Sequence, residues 1–337
     1  MVGGTQEITE TKHMTYSQNW KAYNQAQTQQ KELFLKLLYD LCQTLPEEPK
    51  QIRKGRPKLP IRDVAFSFAL KVFTTFSLRR FMTDMKMAKE LGYMKTTPHF
   101  SMVSYYMEKS ELTPLLQELI TQSALPLKSV ETKFAIDSTG FRTTKFNDYC
   151  REKHNTGRAH RWIKAHICCG VNTNIVTGVE VGMENSADSP QFIPLAGKTY
   201  KNGFKIEEIS ADKAYSSRDN YGYIDEIGGT AFIPYRSNAT GKPRGKSHVW
   251  RKMFDYFIYN REEFLQHYHL RSNIESTNNM IKSKFTDLVR SKNKTAQINE
   301  VLLKVLCHNI CVLIQESFEL GISSDFLSRG GINGNAT

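Results

Sequence analysis

The sequence predicts an α/β protein in which an all-α N-terminal region precedes a core built on a mixed five-stranded sheet with flanking helices. Two observations carry this prediction: the first 120 residues show helical periodicity interrupted by Gly and Pro, and five short apolar or alternating runs of strand length follow. With 337 residues, of which 39% are hydrophobic and 24% charged, the chain has enough apolar side chains for a packed core.

The N-terminal region, residues 1–129, is predicted to be helical and to bind DNA. Leucines in residues 33–45 supply one apolar face of a helix. From residue 61 to residue 120, breaks near Ser77, Gly92 and Pro98 separate short helices. These short helices fit a helix-turn-helix-like bundle and equally a small helical cap. Between them, residues 51–58 hold four basic residues and no acid, around a Gly-Arg-Pro sequence. This segment is either a basic linker or a minor-groove hook, its candidate DNA contacts being Arg53, Lys54, Arg56 and Lys58.

The core is predicted to span residues 130–325, followed by a disordered tail over 326–337. Two of its strands end in a carboxylate, Asp137 in the first and Asp212 in the fourth. Gly228 and Gly229 stop the second of the intervening helices. The predicted strands are 133–137, 162–171, 175–181, 206–212 and 230–234, and the predicted helices are 189–200, 218–227, 260–288 and 295–320.

The formal net charge of +12 favours a polyanionic partner, most commonly nucleic acid. Two predicted loops concentrate this charge. Residues 142–164 hold seven basic and two acidic residues, and residues 236–252 hold six basic residues and no acid, with Arg244 and Lys246 as candidate DNA contacts. Trp250 in the second loop either stacks on a base or, as is more usual for Trp, packs inside the protein.

The cysteines and the apolar runs predict a cytosolic protein that does not associate with membranes. No stretch reaches the roughly 18 uninterrupted apolar residues of a membrane span, since the best one, 301–314, is broken by Lys304, His308 and Asn309. The N-terminus has no apolar segment of a secretory signal. The six cysteines do not indicate a disulfide framework, and Cys168, Cys169, Cys307 and Cys311 are predicted to be small core residues. The spacing of Cys150, His154, His160 and His166 matches no closed zinc site.

Asp137 and Asp212 are the first candidates for chemistry. Ligands gather beyond the carboxyl ends of strands in open α/β sheets, and two carboxylates at adjacent strand ends repel each other unless a divalent cation lies between them. The alternative is that both are helix N-caps, for which Asp is a preferred residue. Asp188, which precedes Ser-Pro and a helical stretch, is interpreted as such a cap.

The segment around Glu275 supplies a third carboxylate. On an ideal helix Tyr268, Arg271, Glu275 and Lys282 fall within an arc of about 60°. An apolar stripe that includes Ile274 lies on a different side and can dock on the sheet. The spacing therefore predicts one helix face that carries a carboxylate, a guanidinium and an ammonium group.

These residues resemble a known family. The pattern Tyr-x2-Arg-x3-Glu-x6-Lys at 268–282 is similar to the signature of the DDE transposases of bacterial and archaeal insertion sequences, in the group usually called the IS-four/IS-five superfamily. Residues 134–140 resemble the block around the first Asp of that family, and residues 209–215 the block around the second. The resemblance covers about residues 130–320 and does not extend clearly to residues 1–129.

The resemblance implies an RNase H-like core in which Asp137, Asp212 and Glu275 bind two Mg²⁺ ions, with Mn²⁺ as a substitute. It implies cleavage at the ends of an insertion sequence and strand transfer into target DNA, by a homodimer on paired element ends, in the cytoplasm and on the nucleoid of a prokaryote. Arg271 and Lys282 would then hold phosphates and Tyr268 would contact the terminal nucleotide. Two alternatives stay open: an RNase H-like nuclease without strand transfer, and a domesticated transposase that only binds DNA.

Overall fold

A computed structural model of the chain describes residues 19–46, 58–144, 162–183, 187–242, 248–323 and 326. Within these ranges the beginning is entirely helical, as the periodicity predicts; three consecutive strands follow, then two strands that alternate with helices, and four helices end the described chain. In chain order the elements are α1 Trp20–Thr28, α2 Gln30–Gln43, α3 Ile61–Thr74, α4 Met82–Glu90, α5 Phe100–Met107, α6 Leu112–Ala124, β1 Lys133–Arg142, β2 Trp162–Gly170, β3 Val176–Met183, α7 Ser189–Lys201, β4 Glu208–Ala211, α8 Arg218–Glu226, β5 Thr230–Phe232, α9 Val249–Tyr259, α10 Arg261–Tyr268, α11 Ser272–Phe285 and α12 Lys294–Glu319.

The sheet has the strand order β3-β2-β1-β4-β5. β1, β2 and β3 are antiparallel neighbours, whereas β4 and β5 run parallel to β1 on its other side. The predicted mixed five-stranded sheet with flanking helices is therefore confirmed, and its arrangement is that of an RNase H-like α/β core.

The N-terminal helices end where the sequence predicts breaks. The backbone enters the left-handed region at Thr75 after α3 and at Gly92 after α4, so that each helix stops there. His99 accepts a hydrogen bond from the Ser101 amide and caps α5. α1, α2, α3, α5 and α6 all pack against α12, and their apolar side chains form one continuous core with those of the sheet. The division of the chain at residues 129 and 130 stays a prediction.

Two predicted features in the C-terminal half are wrong. The supposed loop 236–252 includes the start of α9, whose Trp250 and Met253 are buried, because basic residues on the exposed face of this helix hide its periodicity in the sequence. The supposed single helix 260–288 is divided by the 3₁₀ turn His269–Arg271. The division lets α10 attach to the sheet through His267 while α11 packs separately through Ile274 and Ile281.

α12 is the central helix of the protein. By length and composition it is apolar enough to cross a membrane, but 83% of its most apolar window is buried inside the protein, as in the core helix of a soluble protein. The polar residues that interrupt its apolar run have buried partners. Lys304 donates hydrogen bonds to the carbonyls of Thr286 and Leu288, and His308 bonds the carbonyl of Asn174.

Asn309 on α12 covers the outer strand of the sheet. Its side-chain oxygen accepts from the Val176 amide at 2.9 Å, and its nitrogen donates to the Val176 carbonyl at 2.8 Å and to Ser123 Oγ at 3.0 Å. One buried side chain thus satisfies both backbone groups of a residue in β3 and joins that strand to α6.

We expect Asn309→Leu to lower the free energy of unfolding by about 2–4 kcal/mol, because it leaves buried backbone groups of β3 without partners. Urea unfolding followed by circular dichroism measures this loss. Lys294→Ala, at the exposed start of the same helix, serves as the control and should change stability by less than about 0.5 kcal/mol. Equal stability of the two variants would contradict the proposed role of Asn309.

Candidate active site

The sheet brings Asp137 and Asp212 side by side. Ile136 of β1 pairs with Ala211 of β4 in parallel register, and each of these residues is followed directly by an aspartate. β4 ends at Ala211, so Asp212 lies at a strand end as predicted. The prediction that β1 also ends at Asp137 is wrong, because β1 continues to Arg142 by pairing with β2. Asp137 nevertheless lies at the point where β1 loses its parallel neighbour, which opens the sheet beside it.

The segment that carries the third carboxylate is fixed to the sheet through α10. His267 lies 2.8 Å from one carboxylate oxygen of Glu208 in β4, whose other oxygen is 2.7 Å from the Lys133 ammonium in β1. The His267 ring also stacks on Phe232 of β5, with the ring centroids 4.4 Å apart. These contacts hold the end of α10 at the sheet, and the following 3₁₀ turn then directs Arg271 toward the two aspartates.

The Arg271 guanidinium group joins all three predicted carboxylates. Its Nη2 atom lies 3.0 Å from Oδ2 of Asp137 and 3.9 Å from Oδ2 of Asp212, and its Nη1 atom lies 2.9 Å from Oε1 of Glu275. The Nε atom is buried without a hydrogen-bond partner. The site thus consists of three carboxylates from β1, from the end of β4 and from α11, gathered around one cation.

The carboxylates differ in their exposure to solvent. The Asp137 side chain is 18% exposed and that of Glu275 is 63% exposed, so the site is buried on the sheet side and open on the side of α11. Burial raises the pKa of Asp137, and the charges of Asp212 and Glu275 raise it further. Burial lowers the pKa of Arg271, but the three carboxylates outweigh that effect and raise it overall. The site therefore favours a bound cation.

α11 runs along β1 in the same direction. Near the start of α11, Glu275 is linked to Asp137 through Arg271. Two helical turns later, the Lys282 ammonium group lies 5.6 Å from the ring centroid of Phe141, which follows Asp137 by four residues in β1. Lys282 is thus on the predicted side of the helix but lies further along β1 than the carboxylates. Burial lowers its pKa.

Tyr268 precedes the 3₁₀ turn and is half-buried beside the carboxylates. Burial raises its pKa, and the charges of Asp212, Asp137 and Glu275 raise it further. The residue is therefore close to the site, although it belongs to α10 and not to the helix of Glu275.

A second polar cluster lies behind the two aspartates. The Tyr215 hydroxyl is 3.3 Å from Nδ1 of His166, and the Asp188 carboxylate lies 2.7 Å from the Lys164 ammonium group and 3.5 Å from His166 Nδ1. Asp188 occupies the N-cap position of α7, as predicted, but its side chain caps no backbone amide. It forms instead an ion pair with β2 that the sequence does not indicate.

The segment that follows Asp212 is held by Arg236. Its guanidinium group donates to the carbonyls of Ala214, at 3.0 Å, and of Lys213. In the sequence, Arg236 is one of six basic residues of a predicted loop, and no local pattern reveals its contacts with the segment after Asp212. Trp250 is buried, and its Nε1 donates to the Thr240 carbonyl, which supports the packing interpretation of this residue.

Of the other predicted DNA contacts, the structure describes Lys58 and leaves the rest outside the described residues. Lys58 is exposed just before α3. The structure describes five cysteines, and all of them are buried and free, which confirms the core prediction for Cys168, Cys169, Cys307 and Cys311. The candidates outside the described residues are Arg53, Lys54, Arg56, Arg244 and Lys246, together with Cys150, His154 and His160 of the zinc alternative and nearly all of the predicted tail.

Two known proteins are similar to this chain. The chain is 25% identical over 185 residues to a protein of Archaeoglobus fulgidus described as "Probable transposase for insertion sequence element ISA1214". This match spans 54% of each chain, so about half the length of that relative is covered. A cryo-EM structure of a piggyBac transposase synaptic complex with hairpin DNA covers 89% of this chain and 76% of its own, at 12% identity and a TM-score of 0.41.

A family profile gives the assignment. The profile described as "Transposase DDE domain" matches residues 128–310, a range that holds all three clustered carboxylates. Proteins of this family generally use divalent metal ions. Since the match covers more than half of the sequence, the chain belongs to the transposase DDE domain family.

Proposed function

We propose that the protein is a DNA transposase that binds the ends of an insertion sequence and catalyses metal-dependent strand cleavage and strand transfer into target DNA. The observation that carries the proposal is the convergence of Asp137, Asp212 and Glu275 on one cation within the matched domain. Three carboxylates at an open sheet edge are suited to phosphodiester chemistry, which uses bound cations. Without a cation between them, their mutual repulsion makes the arrangement unfavourable.

The donor set fits divalent metal ions. Among the residues that the structure describes, no three His, Cys, Asp or Glu side chains are close enough to one another to hold a metal as they stand. The Arg271 guanidinium lies between the three carboxylates and occupies the position of a shared cation. All the oxygen atoms belong to carboxylates, which are the ligands that Mg²⁺ prefers, and Mn²⁺ accepts the same set. We propose Asp137, Asp212 and Glu275 as the residues that would hold two Mg²⁺ ions, which when bound would supply activation of the attacking oxygen and stabilisation of the leaving oxygen.

The other residues position the DNA. The Arg271 guanidinium group, which lies beside the three carboxylates, would donate hydrogen bonds to a phosphate at the site. We propose that Lys282, which lies further along β1, holds a phosphate on the other side of the scissile bond. Tyr268 has an aromatic face beside the carboxylates and can stack on the terminal nucleotide. We propose Arg53, Lys54, Arg56, Lys58, Arg244 and Lys246 as phosphate contacts outside the site.

The substrate and the assembly follow from the reaction. The proposed substrate is double-stranded DNA, namely the terminal inverted repeats and the target. Because each element has two ends and this chain supplies one triad, we propose that a homodimer acts on the paired ends. We propose that it acts in the cytoplasm, on the nucleoid of a prokaryote.

The test uses the full chain and DNA fragments that carry the sequences flanking its gene. Incubation with Mg²⁺ and a supercoiled target plasmid should yield cleaved element ends and products in which an end is joined to the plasmid. Sequencing the junctions separates the possibilities: joined target DNA supports a transposase, whereas nicks without joining, or binding without cleavage, contradict this proposal.

DNA affinity is expected to fall steeply with salt. A protein that neutralises six phosphates releases their counterions, so its affinity should fall by about a thousandfold between 50 and 200 mM salt. Fluorescence anisotropy with a labelled element end measures this slope. In the same titration of Lys282→Ala, the slope of log affinity against log salt concentration should be shallower by the amount that one phosphate contact contributes. An affinity that is unchanged across this range would refute the electrostatic account of binding.

A further inference from the structure

A cavity of about 520 Å³ lies away from the carboxylates, between the N-terminal helices and the segment that joins α11 to α12. Its walls come from α3, from the turn after α3, from α5 and from the beginning of α12. Nothing in the chemistry proposed above uses this cavity, although it is open to solvent and its lining combines charged, aromatic and aliphatic side chains.

The cavity is strongly basic. Among the described residues that line it, Lys71, Arg79, Arg290 and Lys292 are basic and Glu108 alone is acidic. The N-terminus of the 26-residue helix α12 adds its positive dipole, since Ala296 in its first turn is part of the wall. The electrostatic potential in the cavity therefore favours an anion.

An aromatic ring stands at the mouth of the same cavity. Phe76 lines it and is 46% exposed, so that part of its ring is accessible from the solvent. The guanidinium group of Arg79 already stacks on Phe100, 5.1 Å from its ring centroid, and forms a planar surface that is both cationic and aromatic. The lining thus offers stacking faces together with phosphate ligands.

The structure holds this cavity in a fixed relation to the carboxylates. Arg142, at the end of the strand that carries Asp137, accepts a hydrogen bond from the Val289 amide at 2.7 Å. The next residue, Arg290, donates to the carbonyls of Thr75 and Phe76 at the cavity. From Asp137 to Arg142 the strand spans about 16 Å, the length of about five base pairs of duplex DNA.

We infer that this cavity binds a nucleotide of the DNA substrate, at least about five base pairs from the scissile bond, with the phosphate on the cations and the base against Phe76. The inference rests on the proposed function, because the fixed distance from the triad is what favours a DNA segment as the occupant. The cavity then extends the DNA-binding surface from the site to the N-terminal helices.

The test compares Phe76→Ala, Arg79→Ala and Lys292→Ala with the wild-type chain in anisotropy titrations of an element end. We expect Phe76→Ala to weaken binding by about fivefold to a hundredfold with little change in the salt slope, since stacking is removed. Arg79→Ala and Lys292→Ala should each make the slope of log affinity against log salt concentration shallower by about 0.9, because each removes one phosphate contact. At saturating DNA, metal-dependent cleavage by all three variants should stay within about twofold of wild type, because none of them contacts the carboxylates.

Matched controls remove an exposed aromatic ring or an exposed lysine elsewhere. Tyr259 on α9 is 81% exposed and Lys201 at the end of α7 is exposed, so Tyr259→Ala and Lys201→Ala should bind like wild type. Unchanged melting temperatures show that the cavity variants are folded; Arg290 is left intact because it supports the turn after α3.

The outcomes separate this inference from the proposed function. A wild-type chain that neither binds nor cuts DNA refutes both. A wild-type chain that binds and cuts, with cavity variants whose affinity is unchanged, overturns the nucleotide cavity alone. Titration with a free deoxynucleoside monophosphate completes the test: saturable binding at Phe76 without any effect of the variants on DNA affinity would assign the cavity to a free nucleotide and overturn the inference.

Discussion

Replacement of Asp137 or Asp212 by Asn, or of Glu275 by Gln, is expected to lower metal-dependent cleavage by about a thousandfold or more, which corresponds to about 4 kcal/mol in the activation barrier. Each amide keeps the shape of the side chain but removes the negative charge that binds a divalent cation. DNA binding should be retained, because fewer negative charges at the site repel the phosphates less.

The experiment measures nicking with Mg²⁺, DNA affinity and melting temperature for all three variants. Glu262→Gln is the matched control, since Glu262 is exposed on α10, outside the group of carboxylates around Arg271, and should cut like wild type. Asp287 is unsuitable as a second control because its carboxylate binds Arg142 through two contacts of 2.7 and 2.8 Å. Normal nicking by any one of the three variants would remove that residue from the site.

Arg271→Ala is expected to change two measurements in opposite directions. Cleavage should fall by about a hundredfold, because a phosphate loses a charged donor that is held close to the reacting atoms. The affinity of the DNA-free protein for Mn²⁺ should rise, because the guanidinium group no longer competes with the metal for oxygen atoms of Asp137, Asp212 and Glu275. A residue that only supported the fold would not increase metal affinity.

Mn²⁺ binding can be followed without DNA by electron paramagnetic resonance of the free ion, so this result does not depend on activity. Arg271→Lys is the informative companion variant: it retains one positive charge but loses the fork that reaches two carboxylates at once, and we expect an intermediate Mn²⁺ affinity. A fall in Mn²⁺ affinity in Arg271→Ala would mean that the guanidinium group helps to assemble the metal ligands and does not compete for them.

The sheet and the three carboxylates could be predicted because their signals are local. Alternating or apolar runs identify the strands whatever their neighbours, and an aspartate after Ile136 and after Ala211 is visible in the sequence alone. The spacing from Arg271 to Glu275 is a property of one turn of chain, and the structure keeps it as a contact of 2.9 Å. The family resemblance then gave these local signals a common chemistry.

Features that depend on distant partners could not be predicted. β1 extends beyond Asp137 because β2 pairs with it, and polar residues such as Ser138 and Thr139 gave no sign of this. The attachment of His267 to Glu208 and Phe232 divides a segment that reads as one helix. The position of Arg271 among three carboxylates likewise requires three separate segments to meet.

The buried helix α12 has a consequence for how the protein is made. It covers α1, which lies more than 250 residues earlier in the chain, as well as the face of the sheet on which α6 packs. During synthesis the N-terminal helices and the sheet emerge from the ribosome before it, and such non-local packing delays folding. All three carboxylates are already synthesised by residue 275, yet the core that supports them stays open until residue 319 has emerged. We therefore expect a nascent or prematurely terminated chain to be a substrate for chaperones and proteases, and unable to cut the DNA from which it is being expressed.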